Sequence, residues 1–248
     1  MNTARTVLKF SFAAPLALAL AACGGGADGE LESDAIEAIA APDGTNWGET
    51  VTVSDEDGYI LGNPDAPLKL IEYASHTCGA CANFSQTGKP SIKEYVATGV
   101  VSFEQRNLVR DPIDLTIATL VRCGADANVQ ALSDQAWGNF NEIMGAAQAN
   151  GAQLEIANEL PGDQRLGEFA RITGLTEFFA ARGLSRAQQS ACLADVETIE
   201  TIRTNSSTQA EELNILATPT FILNGRKLDV NQWRDLEPIL QRAGARSE

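Results

Sequence analysis

Leu68-Lys69-Leu70-Ile71-Glu72-Tyr73-Ala74-Ser75-His76-Thr77-Cys78-Gly79-Ala80-Cys81 decides the reading of this chain. Residues 68–74 form an apolar run of strand length, and Cys81 through Phe84 reads as the opening of a helix. Two thiols three residues apart therefore stand at a strand-to-helix turn. Unpaired backbone N–H groups and the positive end of the helix dipole favour thiolate over thiol there. Cys78 is expected to have a lowered pKa and to be the nucleophile. Cys81, one turn on and facing inward, is placed to resolve a mixed disulfide by attacking Cys78. A zinc site needs four ligands, but His76 is the only histidine and no second CxxC exists. A redox couple is preferred over metal or a purely structural disulfide.

Outward from this stretch, Val51 to Val53 and Tyr59 to Leu61 read as short strands around the turn Asp57-Gly58, and Asn63 to Pro67 as a loop. After Cys81 the helix is interrupted by Gly88 and Pro90 and resumes through Ile92, Tyr95 and Val96 to a C-cap at Gly99. Val100 to Asn107 is the next strand, giving a β-α-β unit with a parallel pair. A helical block follows. Asp111-Pro112 opens a helix with Ile113, Ile117, Leu120 and Val121 on one face. Val129, Leu132, Ala136, Phe140, Ile143 and Ala147 predict one further helix, and Leu166, Phe169 and Ala170 a third. Ser185 to Gln188 is a capping box, and Ile199 to Leu213 a last long helix of the block. Thr220 to Leu228 reads as a hairpin around Asn224-Gly225, and Asp229 to Gln232 as the cap of a final helix with Trp233, Leu236 and Leu240. The order βαβ, helical block, ββα defines the expected α/β class: a thioredoxin fold with an inserted α-helical domain between its halves.

The 248 residues carry a formal net charge of −15. The start reads as an export signal, with Arg5 and Lys9 before an apolar run from Phe10 to Ala19 that is too short for a membrane span. Leu20-Ala21-Ala22-Cys23 matches the bacterial lipobox, whose cleavage leaves Cys23 as a lipid-modified N-terminus. Ala19-Leu20-Ala21 offers ordinary signal cleavage instead. The lipobox is preferred because glycine-rich Gly24 to Glu30 follows as a tether. Loss of residues 1–22 takes the charge to −17 and argues against a nucleic-acid partner. With Cys23 assigned to lipid, four cysteines remain in an oxidising compartment. Pairing Cys78 with Cys81 leaves Cys123 for Cys192 as a structural disulfide; two unrelated buried thiols are the alternative. The chain divides into a signal (1–22), a flexible tether (23–48), a first thioredoxin half (49–110), the helical insertion (111–213) and a second half (214–246).

Gly62-Asn63-Pro64-Asp65-Ala66-Pro67, the strand running into Cys78-Gly79-Ala80-Cys81, the inserted helices and Ala217-Thr218-Pro219-Thr220-Phe221 together resemble the bacterial DsbA-like thiol:disulfide oxidoreductases over nearly all of residues 50–245. The resemblance implies a cis Thr218-Pro219 bond, in a loop that lies against the cysteines and presents strand-like groups to a peptide. Thr218 then touches the sulfurs, and Thr218, Pro219 and His76 are the candidate substrate-binding residues. It also implies that Glu72 is a buried acid under Cys81, its pKa raised by burial, taking the resolving proton. The alternative is a carboxylate paired with a cation such as Arg106. His76, if protonated, stabilises the Cys78 thiolate; the plain alternative is an exposed loop histidine. Strongly oxidising members usually carry Pro-His between the cysteines, and Gly79-Ala80 departs from that, which leaves the redox poise open.

The implied function is disulfide introduction into reduced exported proteins, with no cofactor beyond the redox-active disulfide and reoxidation by a quinone-linked membrane partner. A reductase or isomerase using the same site, and a non-catalytic thioredoxin-fold chaperone, are the rivals. No dimerisation domain is read before the thioredoxin core, so a monomer is expected. Its expected place is the periplasm, lipid-anchored at Cys23. Gly24 after the cysteine, by resemblance to Gram-negative lipoproteins, favours the outer membrane.

Overall fold

The computed structural model of the protein describes residues 33–247, so Cys23 and the expected signal lie outside the described residues. Six strands, β1 (Val51–Val53), β2 (Tyr59–Leu61), β3 (Leu68–Ala74), β4 (Val101–Asn107), β5 (Thr220–Leu223) and β6 (Arg226–Lys227), form one sheet in the order β1-β2-β4-β3-β5-β6. β3 and β4 run parallel, joined by the crossover helices α1 (Gly79–Thr87) and α2 (Lys89–Ala97), and every other pairing is antiparallel. Gly62 leaves β2 at φ 106°, and a Cβ there would lie 2.6 Å from the Val96 side chain, so the turn requires glycine.

Alternation along β3 sorts its side chains between the two faces. Leu68 and Leu70 join a core with Phe84, Ile92, Val96 and Phe103, and Ala74 joins the cysteine cluster, whereas Tyr73 packs with Ile215 and Ile222. Glu72 falls in the first, otherwise apolar row. One charged residue thus sits in a row that would stabilise the fold more if it were hydrophobic throughout.

The insertion comprises α3 (Pro112–Val121), α4 (Val129–Gly138), α5 (Phe140–Ala149), α6 (Gly151–Asn158), α7 (Gly162–Ile172), α8 (Leu175–Ala180), α9 (Arg186–Ala194) and α10 (Val196–Glu212). It buries its own core of Ile117, Leu120, Leu166, Leu175 and Phe179. Asp111 caps α3 by accepting from the Ile113 and Asp114 amides, and Ser185 with Gln188 forms the capping box of α9. Cys123 and Cys192 are joined, with Cα atoms 5.9 Å apart, tying the chain just past α3 to the last turn of α9.

Three expectations need correction. The helix expected over 129–147 is two helices, broken at Asn139 (φ −102°, ψ 16°). The apolar spacing runs on across Gly138-Asn139, a pair that favours helix ends, so periodicity alone conceals the break. Asp229 to Gln232 place no side-chain cap on α11 (Trp233–Arg242). The stretch expected as tether is not free from Ser33 onward. Ser33 and Ile36 donate backbone hydrogen bonds to Arg242 and Gly244, Ile39 donates to Thr98, and Ile36 packs on the core. Trp47 opens a 3-10 turn, Trp47–Glu49, and its indole N–H donates to the Ile39 carbonyl at 2.8 Å.

Candidate functional site

Cys78 is the N-cap of α1: its amide donates to the Ser75 carbonyl at 3.2 Å, and its sulfur accepts from the Cys81 amide at 3.4 Å. The two thiols are free in this structure. Their environments differ sharply. A hydrogen bond from the Cys81 thiol, with help from Thr218 and the Cys81 and Ala80 amides, outweighs burial and draws the Cys78 pKa down to about 5. Burial pushes the Cys81 thiol far up, and its hydrogen bond to Cys78 and the nearby Glu72 charge push the same way. One sulfur is therefore a thiolate near neutral pH, and the other is a proton-holding thiol.

The loop before β5 completes the mouth of the site. Thr218-Pro219 is cis, and Cys78 Sγ lies 3.3 Å from the Thr218 carbonyl oxygen, to which it donates only in its protonated form. The Thr218 hydroxyl is buried with no hydrogen-bond partner of its own among the described residues, and its approach lowers the Cys78 pKa. Gly79 and Ala80 are exposed. Phe140 of α5 stands over Gly79, 3.6 Å from where a Cβ would be, and packs with Cys78, Cys81 and Trp137. The dipeptide between the cysteines contributes no polar side chain, so the thiolate is stabilised by the Cys81 thiol, Thr218 and the amides of the helix start.

Glu72 is fully buried, and neither carboxylate oxygen has a hydrogen-bond partner among the described residues. Burial raises its pKa to about 7; the Lys89 charge opposes that rise, and the Asp134 and Cys78 charges add to it. The alternative pairing with Arg106 does not occur. Arg106 lies on the opposite row of β4 and binds Glu104, Glu56 and the Tyr73 hydroxyl. The cation near Glu72 is Lys89, itself buried. Its Nζ donates to Gln105 Oε1 at 3.0 Å and Asp134 Oδ1 at 2.8 Å, and stands 4.3 Å from the Trp137 ring centroid.

His76 is not an exposed loop residue, and its ring is held by the insertion. It is buried and stacked on Trp137, with Nε2 3.1 Å from Ser133 Oγ and Nδ1 3.4 Å from Asp114 Oδ1. The backbone around it is held by the insertion. The His76 amide donates to Asp114, the Thr77 hydroxyl to Asp111, and the Trp137 indole to the Ser75 carbonyl at 3.0 Å. Lys89, Asp111, Asp114, Ser133, Asp134, Trp137 and Phe140 are thus the site residues that sequence reading missed. The spacing of 130, 133, 134 and 137 along α4 was a signal for one helix face, but not for what that face meets. Among the described residues no group of three or more His, Cys, Asp or Glu side chains is set to hold a metal ion.

A strand-to-helix dithiol beside a cis-proline loop, in a sheet with a parallel β-α-β start and a ββα end, defines a thioredoxin-fold protein with a redox-type cysteine pair. A thioredoxin family model matches residues 54–242, and the chain belongs to that family. A protein of Rickettsia bellii provisionally named a protein-disulfide oxidoreductase is 27% identical over 172 residues, which is 69% of this chain and 58% of that relative. The match spans little more than half the length of such curated relatives. The crystal structure of a protein-disulfide isomerase from Novosphingobium aromaticivorans superposes with a TM-score of 0.71 at 29% identity, over 75% of this chain and 97% of that one. Wolbachia pipientis alpha-DsbA1 shares the fold at a TM-score of 0.60 and 22% identity, covering 77% and 94%.

Proposed function

We propose that this chain is a protein disulfide oxidoreductase of the DsbA type that introduces disulfides into exported proteins. A client thiolate attacks Cys78 of the Cys78–Cys81 disulfide. The client–Cys78 bond forms, the internal bond breaks, and Cys81 leaves with the electron pair and takes a proton from Glu72. A second client thiolate then attacks the client sulfur of the mixed disulfide and releases Cys78 as thiolate. The client is oxidised by two electrons, which a quinone-linked membrane partner removes from the reduced pair. In the reverse direction Glu72 takes the Cys81 proton while Cys81 attacks Cys78. Thr218 and Pro219 offer strand-like backbone to the client peptide beside the sulfur.

The observation that carries this reading is the split between the two thiols. A Cys78 pKa near 5 stabilises the reduced form, which makes the disulfide an oxidant. It favours the oxidising direction although Gly79-Ala80 lacks an imidazole. The likeness to the Novosphingobium aromaticivorans protein-disulfide isomerase supports a second reading, in which the same pair works reduced as an isomerase or reductase. Equilibration of the Cys78–Cys81 pair with glutathione separates the two. A potential at the oxidising end of the thioredoxin-fold range supports the oxidase, and one near thioredoxin, about 150 mV lower, supports the reductase. For the roles, Cys81→Ala should accumulate mixed disulfides through Cys78 and Cys78→Ala few; equal trapping would overturn the assignment.

The same proposal includes monomeric action in the periplasm, anchored by lipid at Cys23 to the outer membrane, supported by the lipobox and the residues around it. The hydrogen bonds of Ser33, Ile36 and Ile39 to the domain, and of Trp47 to Ile39, take these residues out of the expected tether. Globomycin, which blocks lipoprotein signal cleavage, should leave the precursor uncleaved. Maturation to a soluble form in its presence would contradict the anchor.

A further inference from the structure

Burying an ammonium group costs several kcal/mol unless it is well paired, so the buried Lys89 needs a reason. Its side chain is only 2% exposed and reaches under the active site from α2. Gln105, one of its two hydrogen-bond acceptors, is the cross-strand neighbour of Glu72 in the β3–β4 register. The other acceptor, Asp134, comes from α4 of the insertion. Asp134 is 20% exposed, also receives Ser85 Oγ at 3.2 Å, and binds the more exposed Lys93 through its second oxygen at 2.8 Å. A buried cation with a counter-ion that reaches solvent therefore lies beside a buried carboxylate that has no hydrogen bond of its own. The groups facing Glu72 are Lys89 from α2, Asp134 from α4, and the two cysteines from the start of α1; Gln105 from β4 is neutral.

We propose that Lys89 and Asp134 are positioning residues for proton exchange between Glu72 and Cys81, so that the inserted helical domain acts directly on the redox step. The inference rests on the dithiol exchange proposed above. Lys89 favours the Glu72 carboxylate, the form that takes the Cys81 proton. Asp134 favours the carboxylic acid, the form that returns it. Asp134 also holds Lys89 in place, so the two opposed charges keep Glu72 able to do both near neutral pH. A merely structural ion pair would be damaged in the same way by loss of either member. A pair acting on Glu72 must respond in opposite directions.

The test uses the full chain in detergent, loaded with glutathione as a mixed disulfide at Cys78, and follows glutathione release by Cys81 against pH. Lys89→Met should move the midpoint of the release profile up by about one pH unit, and Asp134→Asn should move it down. In a Glu72→Gln background neither change should move it. Displacement of both midpoints in the same direction, or a displacement that persists without Glu72, would overturn the proposal. Asp134→Asn keeps side-chain shape and supplies the test alone if Lys89→Met does not fold: an upward or absent displacement contradicts the proposal. The carboxyl resonance of Glu72, followed by carbon NMR, reads the same displacements without any exchange. Absence of release at every pH would thus count against the dithiol reading, and absence of opposite displacements of that resonance against this one.

Discussion

Two cysteine pairs in one chain show how environment divides a single chemistry. Cys78 and Cys81 are neighbours at one helix start, nearly sealed from solvent, and are pushed to opposite protonation states. Cys123 and Cys192 are separated by 69 residues, only partly buried, and tie the end of α3 to α9. Closing the first ring restricts almost no chain, so its bond can open and close at little cost in conformational entropy. Closing the second restricts a long loop and confers stability. The lesson is that a short ring in an asymmetric setting suits turnover, and a long ring at the edge of a core suits permanence.

Exchanging the roles experimentally should fail. Cys78→Ala should abolish thiol exchange altogether, whereas Cys123→Ala with Cys192→Ala should leave the rate of the isolated reaction within about a factor of three, since neither residue touches the site. Loss of exchange in the second variant would mean that the insertion must be cross-linked to hold α3 and α4 against the active-site loop. The same double variant should lose at most about 4 kcal/mol of stability in urea unfolding, the loop-entropy limit for a ring of this length. No loss would mean that the helical core holds α3 and α9 together unaided.

Glu72 sharpens the comparison, because here function costs stability. Its pKa near 7 in the fold lies above the ordinary carboxylate value. The penalty for ionising it is absent below about pH 4, grows as pH rises to neutrality, and is constant above. Glu72→Gln should therefore stabilise the protein at about pH 8 by up to about 3 kcal/mol and have little effect at about pH 4. Equal effects at both pH values would show that Glu72 is not held as a strained acid. Trp137→Phe should cost about 1 kcal/mol, the worth of its bond to the Ser75 carbonyl, and should loosen the loop that carries Cys78.

Much of this was legible in the sequence where the signal is local. The strand-to-helix setting of Cys78, the Asp111 and Ser185 caps and the Asn224-Gly225 turn depend on neighbours along the chain. Asn224 and Gly225 adopt φ 48° and 80°, as that dipeptide in a tight hairpin requires. The pairing of Cys123 with Cys192 was accessible by counting. What escaped depends on contacts distant in sequence. Lys89 reads as an ordinary first-turn lysine until Asp134, 45 residues later, is brought over it. His76 stands two residues from Cys78 yet turns toward Asp114 and Ser133, because the strand end sends its side chain to the insertion. Ser33 to Gly48 reads as linker from its Pro and Gly, while its backbone hydrogen bonds to Thr98, Arg242 and Gly244 leave no trace in composition.

The central claim is that the fold splits two adjacent thiols into a thiolate and a proton-holding thiol. Ultraviolet thiolate absorbance of the reduced protein, titrated against pH, tests it most directly. One thiolate should appear with a midpoint near 5, should vanish in Cys78→Ala, and no second should appear below about pH 9, above the ordinary cysteine pKa. Two thiolates titrating together near the ordinary value, about 8.5, would contradict the account.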